Sequence, residues 1–201
     1  STKYQQRLEL VLEPLAAQME THFKELFNST PRIDKISSRA KTLESFLKKA
    51  TKTEDGKAKY TDPLNQIQDQ VGVRIVTFYL ADVERISNEA LKYFHSIESR
   101  DRFPDSEWEF GYFGKHHLFI FPSDVLDDEY PEDMLPLCFE LQIKTLFQHA
   151  WSEANHDVAY KEMRGTLSAE DKRKLAFCSA QAWGADKIFE ELFVRLNAKT
   201  D

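Results

Sequence analysis

The sequence predicts an α/β (α+β) protein, a mixed β-sheet flanked by helices, with helical extensions at the N- and C-terminal ends of the chain. Apolar residues recur every three to four positions in residues 4–27 and again after Ser168, as they do in amphipathic helices. Three runs rich in β-branched and aromatic residues, within 71–79, 115–121 and 137–145, are typical of strands. These runs alternate with helical segments, and that alternation favours a sheet covered by helices.

The first part of the chain is predicted to form one long helix over residues 4–27, which ends at Asn28–Pro31. A short extended piece is predicted near Ile33. Thr42 is the predicted N-cap of a second helix, because a threonine hydroxyl accepts hydrogen bonds from the free N–H groups of a first turn. Residues 51–63 have no core-forming pattern and are predicted to be a mobile loop.

The remaining elements follow in order. They are the strand Val71–Tyr79, the helix Ala81–Phe94, the strand Lys115–Phe121, the acidic loop 122–134, the strand Leu137–Thr145 and the helix Leu146–Lys161. Ser168 is predicted to cap a last helix, whose inward face is predicted to carry Leu175, Cys178, Ala182, Ile188, Phe189, Leu192 and Phe193. No linker separates two halves, so we expect one domain over 1–201, with helices at 1–30 and 168–198 around a core at 33–161.

Composition restricts the class of protein. No apolar run approaches the roughly 20 residues that a membrane helix requires, and the polar N-terminus is unlike a secretory signal. A net charge of -7 argues against a protein whose whole surface binds a nucleic acid duplex, but allows a small basic pocket for nucleotides. The two cysteines, Cys138 and Cys178, lie far apart and indicate no disulfide framework. We therefore expect a cytoplasmic protein with no membrane partner.

One candidate site lies on the third predicted strand, where side chains alternate between two faces. Glu140, Gln142 and Lys144 project together from the face opposite the apolar residues. A carboxylate, an amide and a cation in a row suit a metal–phosphate site. The alternative is the solvated face of an edge strand.

The helix that follows carries a polar stripe. His149, Glu153, His156 and Tyr160 recur at intervals of four, three and four, which places them on one side of the helix. Two histidines with a glutamate between them are conceivable zinc ligands, but the usual zinc-helix spacing is absent and no third ligand is evident. The remaining alternatives are structural histidines and the lining of a nucleotide pocket.

Two further groups suit a nucleotide and a metal. Asp69 precedes a strand, and Arg74 projects from that strand where it can pair with a phosphate. Asp69 and the distant Glu140 can share Mg²⁺, which prefers carboxylate and phosphate oxygens. Lys41, Ser45 and Lys49 fall four residues apart on one side of the second helix, where cations can neutralise a triphosphate. The alternatives are a loop aspartate with a structural arginine, and a solvated basic helix face.

The last group is the aromatic turn of residues 110–117. Two glycines make a tight bend, and Tyr112 at its tip can stack on a nucleobase. The alternative is a turn whose aromatic residues pack on the sheet.

Together, the order and spacing of these groups resemble the synthetase domain of the RelA/SpoT alarmone enzymes. The matching motifs are R-x-K-x-x-x-S-x-x-x-K from Arg39, D-x-x-G-x-R from Asp69, a Gly-Tyr loop ending in histidine, E-x-Q-x-[RK]-T from Glu140 and H-x-W-x-x-x-x-H-x-x-x-Y-K from His149. The similarity runs from about residue 33 to the final helix and is most specific from Glu140 to Lys161. The length of the chain makes it similar to the small single-domain synthetases.

The resemblance implies a nucleotidyltransferase-like fold with residues 33–161 as the catalytic core. It implies an enzyme of the GTP diphosphokinase type, which transfers the β,γ-pyrophosphate of ATP to the ribose 3′-hydroxyl of GDP or GTP. The products are the guanosine tetra- and pentaphosphate alarmones of the stringent response, and the expected cofactor is Mg²⁺.

The resemblance also implies roles at the matching positions. Asp69 is expected to hold Mg²⁺, and Glu140 to assist with the metal or take the proton of the attacking hydroxyl. The expected ATP-binding residues are Arg39, Lys41, Ser45, Lys49, Arg74 and Gln142. The expected acceptor-binding residues are Tyr112, His116, Lys144, His149 and His156.

The sequence departs from the family pattern on the acceptor side. Glu109-Phe110 stands before Gly111-Tyr112 where guanosine-using members usually carry a Lys and an Asn, and Phe113-Gly114 follows where they usually carry Arg-Ser. Lys144 replaces an arginine, and Asn155 replaces a glutamate. These changes leave two alternatives open. One is a toxin-type relative that pyrophosphorylates tRNA 3′ ends or adenine nucleotides, for which an antitoxin partner is expected. The other is an inactive nucleotide-binding module. Self-association into a homo-oligomer is expected from the resemblance alone.

Overall fold

The computed structural model of the chain describes residues 2–101, 110–111, 114–126, 129–161 and 167–198. Its helices are α1 (Thr2–Arg7), a π-helical segment (Leu8–Leu12), α2 (Glu13–Leu26), α3 (Leu43–Ala50), α4 (Pro63–Gln66), α5 (Leu80–Tyr93), a 3-10 turn (Glu132–Met134), α6 (Leu146–Lys161) and α7 (Ala169–Asn197). Its strands are β1 (Ile33–Ala40), β2 (Thr53–Glu54), β3 (Lys57–Ala58), β4 (Val71–Thr77), β5 (Ser96–Asp101), β6 (Lys115–Ile120) and β7 (Cys138–Thr145).

Five of the strands form one sheet in the order β1-β4-β7-β6-β5. The central neighbours β4 and β7 run parallel, and the other neighbouring pairs run antiparallel. The predicted fold class, a mixed sheet flanked by helices, is therefore confirmed. The predicted N-terminal helix is confirmed as a continuous helical segment, with a π-helical stretch in its middle that the 3.6-residue periodicity did not indicate.

The two faces of the sheet differ in chemistry because strand side chains alternate. On one face Val73, Ile75, Leu141 and Ile143 are fully buried. The N-terminal helices cover this face, and Phe23 of α2 stacks on Phe94 with ring centroids 5.0 Å apart. The opposite face, here called the polar face, carries Arg39, Arg74, Glu98, His116, Leu118, Glu140 and Gln142. The polar face is where chemistry is expected.

Both predicted N-caps are present. The Thr42 hydroxyl accepts a hydrogen bond from the Ser45 backbone N–H at the start of α3. At the start of α7, Ser168 and Asp171 exchange hydrogen bonds in a capping box. Each cap satisfies donors that a first helical turn leaves without a partner.

One loop prediction was wrong, and one strand was not predicted. Residues 51–63, predicted to be a mobile loop, contain the hairpin β2–β3, whose turn has positive φ at Asp55 and Gly56. An Asp-Gly pair is a strong signal for such a two-residue turn, because both positions require positive φ. β5 was not predicted, since the sequence SIESRD has neither a β-branched run nor a regular alternation.

The predicted inward face of α7 was also wrong in part. Cys178, Ile188, Phe189 and Leu192 are exposed. The residues of α7 that are buried are Ser179 and Asp186. Hydrophobic periodicity indicates that a helix is amphipathic but does not say how much of its apolar stripe a partner covers. In the described ranges no helix is both long and apolar enough to cross a membrane.

Candidate active site

A pocket of about 440 Å³ opens at the polar face of the sheet, between the α3–hairpin region and strands β5, β6 and β7. Its described lining consists of Lys49, Lys52, Lys59, Tyr60, Gln66, Gln68, Asp69, Glu98, His116, His117, Leu118 and Glu140. Both predicted catalytic carboxylates, Asp69 and Glu140, therefore face one pocket, although they are far apart in the sequence.

Asp69 lies between two lysines. Lys41 Nζ is 3.0 Å from one carboxylate oxygen, and Lys49 Nζ is 2.9 Å from the other. Three elements meet here, because Lys41 follows β1, Lys49 is in the last turn of α3 and Asp69 precedes β4. The N-terminal helix fixes this arrangement, since Tyr4 donates a hydrogen bond to the Lys41 carbonyl at 2.7 Å. The Tyr4 ring also stacks on Phe46 of α3, with ring centroids 3.7 Å apart.

Glu140 is held by two neighbours on the polar face. The His116 Nδ1 atom lies 2.9 Å from one carboxylate oxygen, and the Gln142 amide donates to the other at 2.8 Å. The Arg74 Nε donates to the Gln142 carbonyl at 3.4 Å, and a second Arg74 nitrogen donates to Glu153 of α6 at 2.6 Å. These contacts join five residues into one network, from α6 across β4 and β7 to β6.

The register of the strands explains this network. Arg74 pairs with Gln142, and Gln142 pairs with His116, so the three side chains stand side by side across β4, β7 and β6. Directly opposed residues on neighbouring strands have Cβ atoms about 5 Å apart, which is within reach of hydrogen bonds between long side chains. Single-strand alternation predicted the face, but only the register shows which residues touch.

One ring nitrogen of His116 contacts Glu140, and the other is buried without a partner among the described residues. The residue is 9% exposed, and in the described part of the chain its buried Nε2 atom has no hydrogen-bond partner. A buried polar atom without a partner costs free energy unless something satisfies it. His116 itself lines the pocket, so a molecule bound there is one way to satisfy this atom.

The Arg74 guanidinium contributes to the lowered pKa values of two side chains on α6, Glu153 and His149. Burial by itself raises the pKa of Glu153, but the Arg74 guanidinium outweighs it, and the net pKa lies below the ordinary value. Burial, together with the nearby Arg74 charge, lowers the pKa of His149. His149 is therefore neutral at pH 7, with its Nδ1 atom 3.9 Å from the Glu153 carboxylate.

Several predicted site residues lie elsewhere. Lys144 is buried and donates to the Ser152 hydroxyl at 3.0 Å, which ties β7 to α6. Ser45 is used at the N-terminus of α3, where it contacts Thr42. Arg39 and His156 are exposed, on β1 and α6. The described lining of the pocket includes none of these four residues, and Tyr112 lies outside the described residues.

Other lining residues were not predicted. Lys52, Lys59 and Tyr60 come from the hairpin region that had been interpreted as a loop, and Glu98 comes from the unpredicted strand β5. The Asp55-Gly56 turn signal was sufficient to find the hairpin. Within the described ranges, no group of three or more His, Cys, Asp or Glu residues is arranged to hold a metal.

Comparison with known proteins identifies similar chains. A family model described as "Region found in RelA / SpoT proteins" matches residues 38–165, which include every predicted site residue. "GTP pyrophosphokinase YjbM" of Bacillus subtilis strain 168 is 26% identical over 165 residues, covering 80% of this chain and 72% of that protein. The crystal structure of small alarmone synthetase 1 from Bacillus subtilis aligns with a TM-score of 0.78 at 20% identity, covering 98% of this chain and 100% of that chain. The same synthetase bound to its product pppGpp aligns with a TM-score of 0.76 at 22% identity, covering 94% and 98%.

Proposed function

Because the chain belongs to the RelA/SpoT family, we propose that it is an alarmone synthetase that transfers the β,γ-pyrophosphate of ATP to the ribose 3′-hydroxyl of GDP or GTP. One observation carries this proposal. Asp69, neutralised by Lys41 and Lys49, and Glu140, held by His116 and Gln142, line the same pocket. Transfer of a phosphoryl-type group depends mainly on positioning and on neutralisation of charge, and these residues supply both.

The donor end of the pocket lies at α3 and the hairpin. Lys49, Lys52 and Lys59 line it, and Lys41 contacts Asp69 beside it. An ATP triphosphate carries close to four negative charges at pH 7, so several converging ammonium groups are required to bind it. We propose that these lysines bind the phosphates of ATP, and that Arg74, held by Gln142 and Glu153, contributes a planar cation on the polar face.

The carboxylate oxygens that face the pocket suit Mg²⁺. Magnesium in nucleotide enzymes is usually held by one or two carboxylates together with substrate phosphates, and Asp69 and Glu140 present two carboxylates to one pocket. We propose that Asp69 holds the ion with assistance from Glu140. When bound, Mg²⁺ would neutralise charge on the transferred phosphates.

The proposed transfer is a direct displacement at the β-phosphorus of ATP and requires no covalent enzyme intermediate. The acceptor 3′-oxygen forms a bond to the β-phosphorus of ATP, and the bond from that phosphorus to the oxygen bridging to the α-phosphate breaks. AMP leaves with that oxygen. Glu140 takes the proton of the 3′-hydroxyl, since it presents a carboxylate to the pocket and a carboxylate is a suitable general base.

Guanine nucleotides are supported as acceptors by the Bacillus subtilis synthetase solved with pppGpp as its product. The toxin-type alternatives use the same donor chemistry with tRNA or an adenine nucleotide, and the net charge of -7 counts against tRNA. Retention of two carboxylates in one pocket favours catalysis over an inactive binding module. Self-association and an antitoxin partner stay predictions.

The proposal is tested by offering purified protein, Mg²⁺ and ATP labelled at the γ-phosphate with GDP, GTP, ADP, ATP alone or deacylated tRNA in separate reactions. We expect label to enter GDP and GTP with one AMP released per transfer. Label entering only tRNA or adenine nucleotides would show that the acceptor is wrong. No release of AMP with any acceptor would show that the chain is not a synthetase of this kind.

A further inference from the structure

The pocket contains a carboxylate that the proposed transfer does not use. Glu98 of β5 is half-buried and lines the pocket together with Glu140 and His116. Neither the donor phosphates nor the proton transfer requires an additional negative charge on the acceptor side. A carboxylate that lines the pocket is an acceptor for N–H groups of a bound molecule.

A β-bulge turns Glu98 towards the pocket. Ser96 pairs with Phe119 of β6, whereas Glu98 pairs with Leu118, so the register shifts by one residue at Ile97. Without this extra residue, Glu98 would pair with His117 and lie on the opposite, buried face of the sheet. Bulges occur often at sheet edges beside active sites, where they redirect a side chain. The bulge at Ile97 therefore places the Glu98 carboxylate on the polar face.

Glu98, Leu118 and Glu140 form a row across three neighbouring strands. Glu98 is directly opposite Leu118, and Leu118 is directly opposite Glu140. With a strand spacing of about 4.8 Å, the two glutamate backbones are roughly 10 Å apart. A nucleoside can bridge this separation, with its sugar hydroxyl at Glu140, its flat base on the Leu118 side chain and the outer edge of the base at Glu98.

The neighbouring His116 indicates that a ligand belongs in this part of the pocket. It lies two residues before Leu118 on the same face, and its buried Nε2 atom has no partner among the described residues. A bound nucleoside beside Leu118 would meet this atom. The buried Nε2 atom of His116 is therefore a second, independent observation that favours a nucleoside beside Glu140, Leu118 and Glu98.

We propose that Glu98 is the specificity-determining residue for the acceptor base and accepts hydrogen bonds from the Watson–Crick edge of guanine. Guanine presents two adjacent donors on that edge, the ring N1–H and the 2-amino group, and a carboxylate accepts from both. Adenine presents a ring nitrogen lone pair at the first position, which a carboxylate repels. This inference rests on the proposed function, because it assigns the base-reading end of the same pocket.

The test compares GDP with two analogues. Inosine diphosphate lacks only the 2-amino group, and ADP lacks both donors. We expect the unmodified protein to bind and use GDP better than inosine diphosphate by roughly ten- to a hundredfold, which is the range for one hydrogen bond to a charged group. In Glu98→Gln this ratio should fall towards one and relative use of ADP should rise, because an amide can pair with the adenine edge. ATP affinity should stay unchanged.

Binding is measured by calorimetry with each diphosphate alone, and transfer is measured separately with labelled ATP. Glu25→Gln, an exposed carboxylate of α2, is the matched control and should behave like the unmodified protein. If the unmodified protein uses GDP but Glu98→Gln keeps the same preference for GDP over inosine diphosphate, the base-reading role is wrong and the proposed function stands. If the unmodified protein does not distinguish GDP from inosine diphosphate, the role is overturned without any variant.

Discussion

The carboxylate of Asp69 lies within 3.0 Å of two ammonium groups, and these charges dominate the donor end of the pocket. We expect Asp69→Asn to lower transfer by at least about a hundredfold, because Mg²⁺ loses a carboxylate ligand and with it the neutralisation of the transferred phosphates. The side chain is 23% exposed, so the fold should tolerate the neutral amide. AMP release and the thermal unfolding midpoint measure the two effects.

Asp34→Asn is the matched control, because Asp34 is an exposed carboxylate on β1 outside the pocket lining. It should leave both transfer and the unfolding midpoint unchanged. Normal turnover in Asp69→Asn would show that Asp69 does not hold the metal. Loss of the folded protein in that variant would assign the residue a structural role.

For single residues, the sequence predicted which side chains share a face better than it predicted which side chains touch. Helical spacing placed Lys41 and Lys49 on one face, the family resemblance implied a common site with Asp69, and the structure brings the three side chains together. It did not separate Lys144, which is buried against Ser152, from its neighbour Gln142, which contacts Glu140. The two residues share one strand face, and only the packing of α6 decides that Lys144 contacts Ser152 while Gln142 contacts Glu140.

At the scale of elements, Gly114, directly before β6, lies against the backbone of β7. A Cβ atom at this position would lie 2.1 Å from the Ile143 carbonyl oxygen, and a backbone atom in a central strand cannot move away cheaply. We expect Gly114→Ala to lower the free energy of unfolding by about 1–3 kcal/mol and to reduce transfer, because the displaced strand carries His116. Chemical denaturation and AMP release are the measurements.

Gly184→Ala provides the contrast. Gly184 lies inside α7, and an added Cβ would meet nothing within 4 Å. Alanine should raise the free energy of unfolding by up to about 1 kcal/mol through helix propensity alone. Equal effects of the two substitutions would show that the close approach at Gly114 has no structural importance.

The N-terminal helix is fastened to the rest of the chain by Arg7. This guanidinium is 5% exposed and donates to the carbonyls of Leu64, Met134 and Leu135 at 2.6–2.7 Å. We expect Arg7→Met to cost about 2–4 kcal/mol, because the methionine fills similar space but leaves buried carbonyls without donors. Lys3→Met, an exposed change on the same helix, should be neutral in the same urea titration. A neutral Arg7→Met would mean that water replaces the guanidinium.

Helices and strands with a regular hydrophobic pattern were predicted from the sequence, whereas the strand without such a pattern was not. The β-branched run at Val71–Thr77 and the apolar periodicity of α2 both gave the observed element. β5 has no such pattern, and its bulge at Ile97 moves Glu98 to a face that alternation would not assign. Its place at the edge of the sheet depends on pairing with β6, which is a tertiary interaction.

Across the whole molecule, the sequence predicted the layers but not how completely each layer is covered. The stripe of α7 was predicted to face inward, yet Ile188 is 59% exposed and Phe189 is 50% exposed. What joins α7 to the body is polar and aromatic instead. Asp186 accepts a hydrogen bond from Thr145 at 2.5 Å, and Phe193 stacks on Tyr79 with ring centroids 4.2 Å apart. Such contacts between distant residues have no periodic signal in a sequence.

Asp82 connects the same region to the sheet and makes the stability of the whole molecule depend on pH. Its side chain is 2% exposed and bonds to Arg32 and Arg85, both at 2.7 Å, while Arg32 also lies 4.8 Å over the Phe193 ring of α7. Burial alone raises the pKa of Asp82, but the hydrogen bonds and charges of the two arginines outweigh it, so the pKa lies below its ordinary value.

A carboxyl group with a lowered pKa in the folded state stabilises the protein above its unfolded pKa and loses that contribution as the pH falls through the folded value. We therefore expect Asp82→Asn to lower the free energy of unfolding by about 2–4 kcal/mol at pH 7, since it removes the buried carboxylate that both arginines contact. The difference from the unmodified protein should shrink as the pH falls below about 4. Urea titrations of both proteins from pH 7 to pH 3 measure it, with Asp34→Asn as the exposed control. A difference that stays constant over this range would mean that the contribution of Asp82 is packing and not charge.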